Sequence, residues 1–205
     1  MFRNIFNPDS PLMITMAQIT DCIFLSLLWI LCCFPLITVG ASSAALYDSV
    51  FRAFRQGEKN SWGRFFKVFK ENFKSGILPG LIFLLLFYLL VKLVVSVWNA
   101  ATVGAASFAV FAAVALVAVL VLGLLSLIFP VLSRFENSLS GLVKNTVFLA
   151  MANLPRTLLL GILYALSILL CLRFVFPLFF LPALASLIST VLIEPMFRPF
   201  MPSED

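Results

Sequence analysis

The sequence predicts an all-α membrane protein: a polytopic bundle of about six transmembrane helices, with five as the alternative count, plus one amphipathic helix in the cytoplasmic interface. Three observations carry this. From Gly76 to Ser133 the chain runs 58 residues with a single charged side chain, Lys92. About 20 apolar residues cross the hydrocarbon as one helix, so the run is two spans joined by a turn, expected at Asn99 to Gly104. Composition agrees, because 62% hydrophobic and 11% charged residues with a mean hydropathy of +1.12 lie far from the soluble average of roughly 45–50% apolar and 25% charged. Finally, backbone groups inside lipid must pair within their own segment, which leaves helices or closed barrels, and these apolar runs are continuous rather than alternating.

The elements follow in order within a single integral-membrane domain, residues 1–205. Asp9-Ser10-Pro11 is a helix start, a side-chain acceptor followed by a proline where its missing N–H costs nothing. The first helix is expected over 11–34, with its first turns in the interface, and Pro35 ends it. The 21 residues preceding its apolar stretch carry Asp9 and Asp21 against Arg3 alone. The basic leader of a signal peptide is therefore missing and the segment is expected to stay uncleaved. After the break from Pro35 to Gly40, a second helix is expected over 41–56. Its fully apolar part is too short to span, but Ala41, Ala45 and Ser49 recur every four residues, the stripe of small side chains that lets helices approach closely in lipid. Asp48 and Arg52 are spaced to pair on one face. The reading is a return helix buried among its neighbours.

Residues 61–75 place Trp62, Phe65, Phe66, Phe69 and Phe73 at helical spacing, with Arg64, Lys67, Lys70 and Lys74 between them. This is the pattern of an interfacial helix, with aromatics at the headgroup boundary and bases toward anionic lipid or a protein partner. Setting topology at the membrane surface accounts for it without any partner. Further helices are expected over 77–98, 105–132, 156–172 and 175–193. The second of these carries Ala105, Ala109 and Ala113 as another small-residue stripe, so close helix packing is expected there. Between 134 and 155 a polar loop leads into a partly apolar stretch, Thr146 to Leu154, that Pro155 terminates. Pro177 and Pro182 fall near the start of the last helix, where they kink without breaking it.

With six spans, 12 of the 14 basic residues fall on one side, leaving Arg173 at an outer turn and Lys92 within a helix. The positive-inside rule then puts both termini in the cytoplasm of a multi-pass cell-membrane protein. The net charge of +5 is explained by these loops, so no nucleic-acid partner is expected; membrane lipid is.

The chain has no histidine and nine carboxylates, most of them in tails or loops. Positioned acid–base groups and converging metal ligands are not visible. The four cysteines lie in apolar helices without a C-x-x-C, and no phosphate-binding G-x-x-x-x-G-K-[ST] loop occurs. No cofactor, no metal and no catalysis are expected. Charge within the membrane is where function remains to be sought. Asp21 sits near the inner end of the first helix. Asp48 and Arg52 sit on the second, where an intrahelical pair accounts for both without transport. Lys92, about 24 Å of helix rise past Gly76, reaches the outer interface by snorkelling.

Asn7-Pro8-Asp9-Ser10-Pro11, then Phe34-Pro35-Leu36-Ile37-Thr38-Val39-Gly40-Ala41 running into Ala44-Ala45-Leu46-Tyr47, then Phe65-Phe66-Lys67 and Phe69-Lys70-Glu71-Asn72-Phe73-Lys74, resemble the YesL family of small bacterial membrane proteins. The likeness covers residues 1 to 76, with Leu154-Pro155 as an echo. It implies an integral-membrane protein of uncharacterised function whose genes lie beside those of sugar ABC importers, and it brings no catalytic residues. The expectation is a non-enzymatic accessory subunit of a carbohydrate (oligosaccharide) ABC importer, in contact with its permease pair or its ATPase. It is not the coupling permease, because Glu136 to Gly141 lacks the alanines of the Glu-Ala-Ala-x-x-x-Gly loop that such permeases share. Two rivals stand beside it: a stand-alone small-solute transporter or channel lined by Asp48, Asp21 or Lys92, and a membrane sensor or assembly factor.

Overall fold

The computed structural model describes residues 11–101, 105–135 and 139–197, and the side chains of 16–100, 108–135 and 139–197. Eight α-helices and two 3-10 turns make up the described chain, with no strand among these residues: α1 (Pro11–Cys33), α2 (Val39–Arg55), α3 (Ser61–Glu71), α4 (Phe73–Ala101), α5 (Ala105–Arg134), α6 (Leu139–Ala152), α7 (Leu154–Arg173) and α8 (Leu181–Phe197). The turns are Leu36–Thr38 and Phe176–Phe179. The protein is an all-α membrane bundle. Helices α1, α4, α5 and α7 are long and apolar enough to cross a membrane, while α6 and α8 are shorter apolar helices. Expectations that fall on Arg3, on Asn7 to Ser10, on 102–104, on 136–138 and on 198–205 lie outside the described residues.

Helix ends differ from expectation where side chains take over backbone bonds. The 61–75 helix stops at Glu71 because the Asn72 amide donates to the Val68 carbonyl (3.1 Å), and the chain bends into α4. The stretch before Pro155 is a full helix, α6. Pro155 sits in the first turn of α7, where no N–H is needed, and the Thr157 hydroxyl stitches the break to the carbonyls of Ala150 and Asn153. The last helix begins at Leu181 rather than 175, since Pro177 belongs to a 3-10 turn. There Ser26 of α1 caps α8, accepting from the Ala183 N–H at 3.1 Å.

Consecutive helices pack in the order α1, α2, α4, α5, α7, α8, and α8 returns against α1. Helix α2 is buried from Val39 to Val50 except at Ser43, and packs on α1, α3, α4, α5 and α8. Two glycine seams fix the arrangement. A Cβ on Gly40 would meet the Gly76 carbonyl oxygen at 2.0 Å and the Gly80 nitrogen at 3.0 Å, and a Cβ on Gly76 would meet the Ala41 nitrogen at 2.7 Å. Likewise a Cβ on Gly123 of α5 would lie 2.1 Å from the Thr157 carbonyl oxygen, and one on Gly161 of α7 would lie 1.9 Å from that of Val119. Helix backbones touch at both places, the geometry that small residues permit in lipid.

The first seam also sets depth. Gly40 faces Gly80 while Ala41 faces Gly76, so α2 runs antiparallel to α4 and leaves past its N-terminal end. The turn before α2 therefore packs beside the charge-free part of α4, roughly 9 Å or more of rise beyond Lys74. Its side chains suit that solvent: Phe34 is 90% and Leu36 64% exposed, and Ile37 is exposed beside them. Backbone groups are answered locally, as irregular structure at such depth requires. The Thr38 N–H donates to the Pro35 carbonyl at 2.8 Å, and its hydroxyl is shared between the carbonyls of Cys32 and Pro35.

Two outcomes follow for experiment. Gly161→Ala places a methyl against a backbone carbonyl and costs about 2 kcal/mol, which lowers the melting temperature in detergent by roughly 5 °C, while Ala109→Leu on the exposed face leaves it unchanged. In a background with the four native cysteines replaced, Leu36→Cys stays unlabelled by maleimide until the protein is denatured, whereas Lys59→Cys labels at once; rapid labelling of position 36 from either side places the turn in water instead.

Candidate functional site

The polar chemistry of the chain gathers around α3. Gly57, at φ 70°, lets the chain leave α2 in a left-handed conformation and turn back. The Asn60 side chain accepts from the Gly63 N–H at 3.1 Å and starts α3, which then runs back along α2. Phe65 and Val68 bury fully against Leu25, Ala45, Leu46 and Val50, so the inner face of α3 is part of the core.

Two carboxylates hold this helix in place. Asp48, 1% exposed, receives the Nε of Arg64 at 2.6 Å and that of Arg52 at 3.3 Å. Burial works against the Arg64 guanidinium charge, and the Asp48 carboxylate more than offsets it, so Arg64 is held above its ordinary value. Asp21 of α1 accepts from the Ser61 hydroxyl at 3.0 Å. Trp62 adds an aromatic contact to Phe24 of α1, with ring centroids 4.3 Å apart. Eight residues of α2 separate Asp48 from Gly40, about 12 Å of rise, which carries Asp48 past the level of Lys74. Of the four candidate intramembrane charges, Asp21, Asp48 and Arg52 thus gather at the α3 end of the bundle, and Lys92 stands exposed over the Tyr88 ring at 5.6 Å.

The expected lipid or partner face is narrower than the pattern at 61–75 implied. Phe65 is core, Arg64 is committed to Asp48, and Phe69 is half-buried, stacked on Phe65. Trp62, Phe66, Lys67, Lys70, Phe73 and Lys74 remain exposed. The reason is that α2 packs over the side of the aromatic stripe that holds Phe65, beside Val68, while the chain bends at Asn72 and places Phe73 at the start of α4.

The packing stripes divide in the same way. Ala41, Ala45 and Ser49 are fully buried on α2, and Gly40 lies at the seam just after the break at Pro35. Ala109 and Ala113 are exposed, and the Ala105 side chain lies outside the described residues. Among the described residues no helix packs closely on Ala109 and Ala113; Gly123, nearer the middle of α5, makes the close contact against Gly161. Gly76-Ile77-Leu78-Pro79-Gly80, a G-x-x-x-G inside an apolar run, is the signal that could have located the α2–α4 seam.

A second polar cluster was invisible in the sequence. Arg134 at the end of α5 donates to Glu194 of α8 at 2.8 Å, and the Tyr47 hydroxyl donates to the same oxygen at 3.1 Å. The Arg134 guanidinium also lies 4.0 Å from the Phe51 ring centroid. This joins α2, α5 and α8 through residues 60 and 147 positions apart. Among the described residues no group of three metal-ligating side chains converges.

Residues 22–92 match the family described as "Protein of unknown function, DUF624". The match covers about a third of the chain. YesL-type proteins are members of that family, so the match agrees with the resemblance drawn from the motifs. No match is found among curated proteins or among solved structures. The matched segment takes in most of α1, all of α2 and α3, and α4 as far as Lys92. It therefore contains both sides of the Gly40 seam and the whole Asp48, Arg52 and Arg64 cluster.

Breaking that cluster from either side has a signed outcome. Asp48→Ala leaves two guanidinium groups without their buried counter-charge and costs about 3 kcal/mol, read as a lower unfolding midpoint and as faster protease cleavage around Gly57. Arg64→Ala does nearly the same, and the double variant loses much less than the sum. Additive losses would show that the two residues are not coupled.

Proposed function

We propose that the protein is a non-enzymatic accessory membrane subunit of a carbohydrate ABC importer, acting by helix packing and by contacts made through α3 on the cytoplasmic side. One observation carries the contact part. Helix α3 is tied to the bundle by Asp48–Arg64 and Asp21–Ser61, yet turns Trp62, Phe66, Lys67 and Lys70 outward. A rigid amphipathic face of bases and aromatics costs little to order on binding, and its residue types are those enriched at interface cores and at anionic surfaces. The importer part rests on what the YesL resemblance implies. The cytoplasmic placement is supported by the positive-inside count.

A path for a hydrophilic solute is less well supported. The charges such a path would use are spent otherwise: Asp48 on two arginines, Asp21 on Ser61, and Lys92 outward beside Tyr88. The large cavity of the bundle is walled by apolar side chains.

The test is affinity purification at native expression in mild detergent, followed by mass spectrometry of the intact complex. Permease or ATPase subunits of a sugar importer are expected to co-purify, and Lys67→Glu with Lys70→Glu is expected to release them while the bundle stays monodisperse. Recovery of neither subunit, or oligosaccharide transport by the purified chain alone in liposomes, would overturn the proposal.

A further inference from the structure

Between α1, α2, α4, α5, α7 and α8 lies a cavity of about 420 Å³. Its walls include Trp29, Phe83, Phe87, Phe129, Ile168 and Leu181, and none of its lining residues carries a charge. The hydroxyls on the wall are mostly satisfied by the protein itself. Ser43 accepts from the Trp29 indole at 3.1 Å, Ser126 donates to the Gly123 carbonyl at 2.7 Å, Ser167 to that of Leu163 at 2.8 Å, and Tyr47 to Glu194 at 3.1 Å. Ser186 of α8 is the exception. It is 3% exposed, lines the cavity, and its hydroxyl oxygen is buried without a hydrogen-bond partner among the described residues.

The rim identifies the solvent at the mouth. Leu36 and Leu172 line the cavity and are 64% and 79% exposed. Leu36 belongs to the turn that packs beside the charge-free part of α4, so this side of the mouth meets hydrocarbon rather than water. Water filling such a space would need two to four polar partners per molecule, which this wall does not offer. An empty apolar void of this size forfeits dispersion contacts on every wall. Molecules dissolved in the bilayer interior can enter past Leu36, and the flexible ones among them are aliphatic chains.

The geometry points to a binding site for one aliphatic lipid chain, admitted from the hydrocarbon past the α1–α2 turn and held by the apolar wall. The site takes the chain itself, so an ester-linked acyl chain and an isoprenoid chain share the chemistry that is recognised.

The test uses the full chain reconstituted in phosphatidylethanolamine and phosphatidylglycerol vesicles carrying a phosphatidylcholine probe with a diazirine near the middle of one acyl chain. After irradiation, cross-links are mapped by mass spectrometry. Labels are expected on cavity peptides holding Tyr164 or Ser186, in addition to the lipid-facing peptides of α4. Ser186→Leu fills the space without breaking a hydrogen bond, and Ser126→Leu fills it from another helix. Each is expected to cut cavity labelling about tenfold relative to the α4 surface. If one variant does not stay monodisperse, the other decides.

Repeating the labelling with a diazirine-bearing polyprenyl phosphate separates the sources. Preference for either probe supports the site and names the chain it takes. Labels confined to exposed surfaces, or cavity labelling that both filling variants leave unchanged, would overturn it.

Discussion

The backbone contact of Gly40 with Gly76 and Gly80 is the constraint on which the rest of this structure depends. Because no Cβ intervenes, α2 lies directly on α4, and the register of that contact decides how deep the α1–α2 hairpin sits. The turn beside the apolar part of α4 then has to satisfy its carbonyls without water, and Thr38 supplies the hydroxyl that does so. The same register carries the second half of α2 out past Lys74, to the level where charged groups are tolerable. A side chain at any of the three glycines would part the helices and shift every one of these depths together.

Burial of charge is resolved differently at the two polar clusters. At Asp48 one carboxylate serves two guanidinium groups, so desolvation is offset by paired hydrogen bonds to Arg52 and Arg64, and α3 cannot leave without exposing that balance. At Glu194 the carboxylate takes Arg134 and Tyr47 together, and the other face of the guanidinium rests on Phe51. Both clusters bind neighbouring helices to α2: Asp48 holds the adjacent α3, and Tyr47 reaches α5 and α8 from far along the chain. That explains why α2 is so fully buried although its composition is the least apolar of the longer helices. Its polar groups are turned inward to bind neighbours.

The solvent was legible in the sequence, because a 58-residue run with one charge needs no tertiary information to interpret. So was the buried stripe Ala41, Ala45 and Ser49, since spacing by four and small volume act locally. The pairing of Asp48 with Arg52 was local too, and it was incomplete, because Arg64 enters only when α3 folds back. The alanines of α5 misled for a related reason: small residues permit close approach but do not compel it. Gly123 and Gly161 meet where α5 and α7 cross, and a lone glycine in an apolar run announces nothing about its crossing partner. Glu194 and Arg134 read as members of a tail and a loop; only the return of α8 toward the end of α5 brings them together. The aromatic pattern of 61–75 identified an amphipathic helix, but which aromatics face inward depends on α2, which no periodicity within α3 contains.

Tyr47 and Asp48 are adjacent on α2 and so point about 100° apart around its axis, given 3.6 residues per turn. One lines the apolar cavity and reaches Glu194; the other holds the helix that bears the exposed bases. The backbone between them is one continuous helix, pinned at Gly40 and nearly without solvent contact as far as Val50. Packed interiors do not deform continuously, so a displacement of α2 large enough to alter the cavity wall at Tyr47 cannot leave Asp48 where it was. A chain held in the cavity would thus rest against the same rigid element that carries Asp48 and, through it, Arg64 of α3.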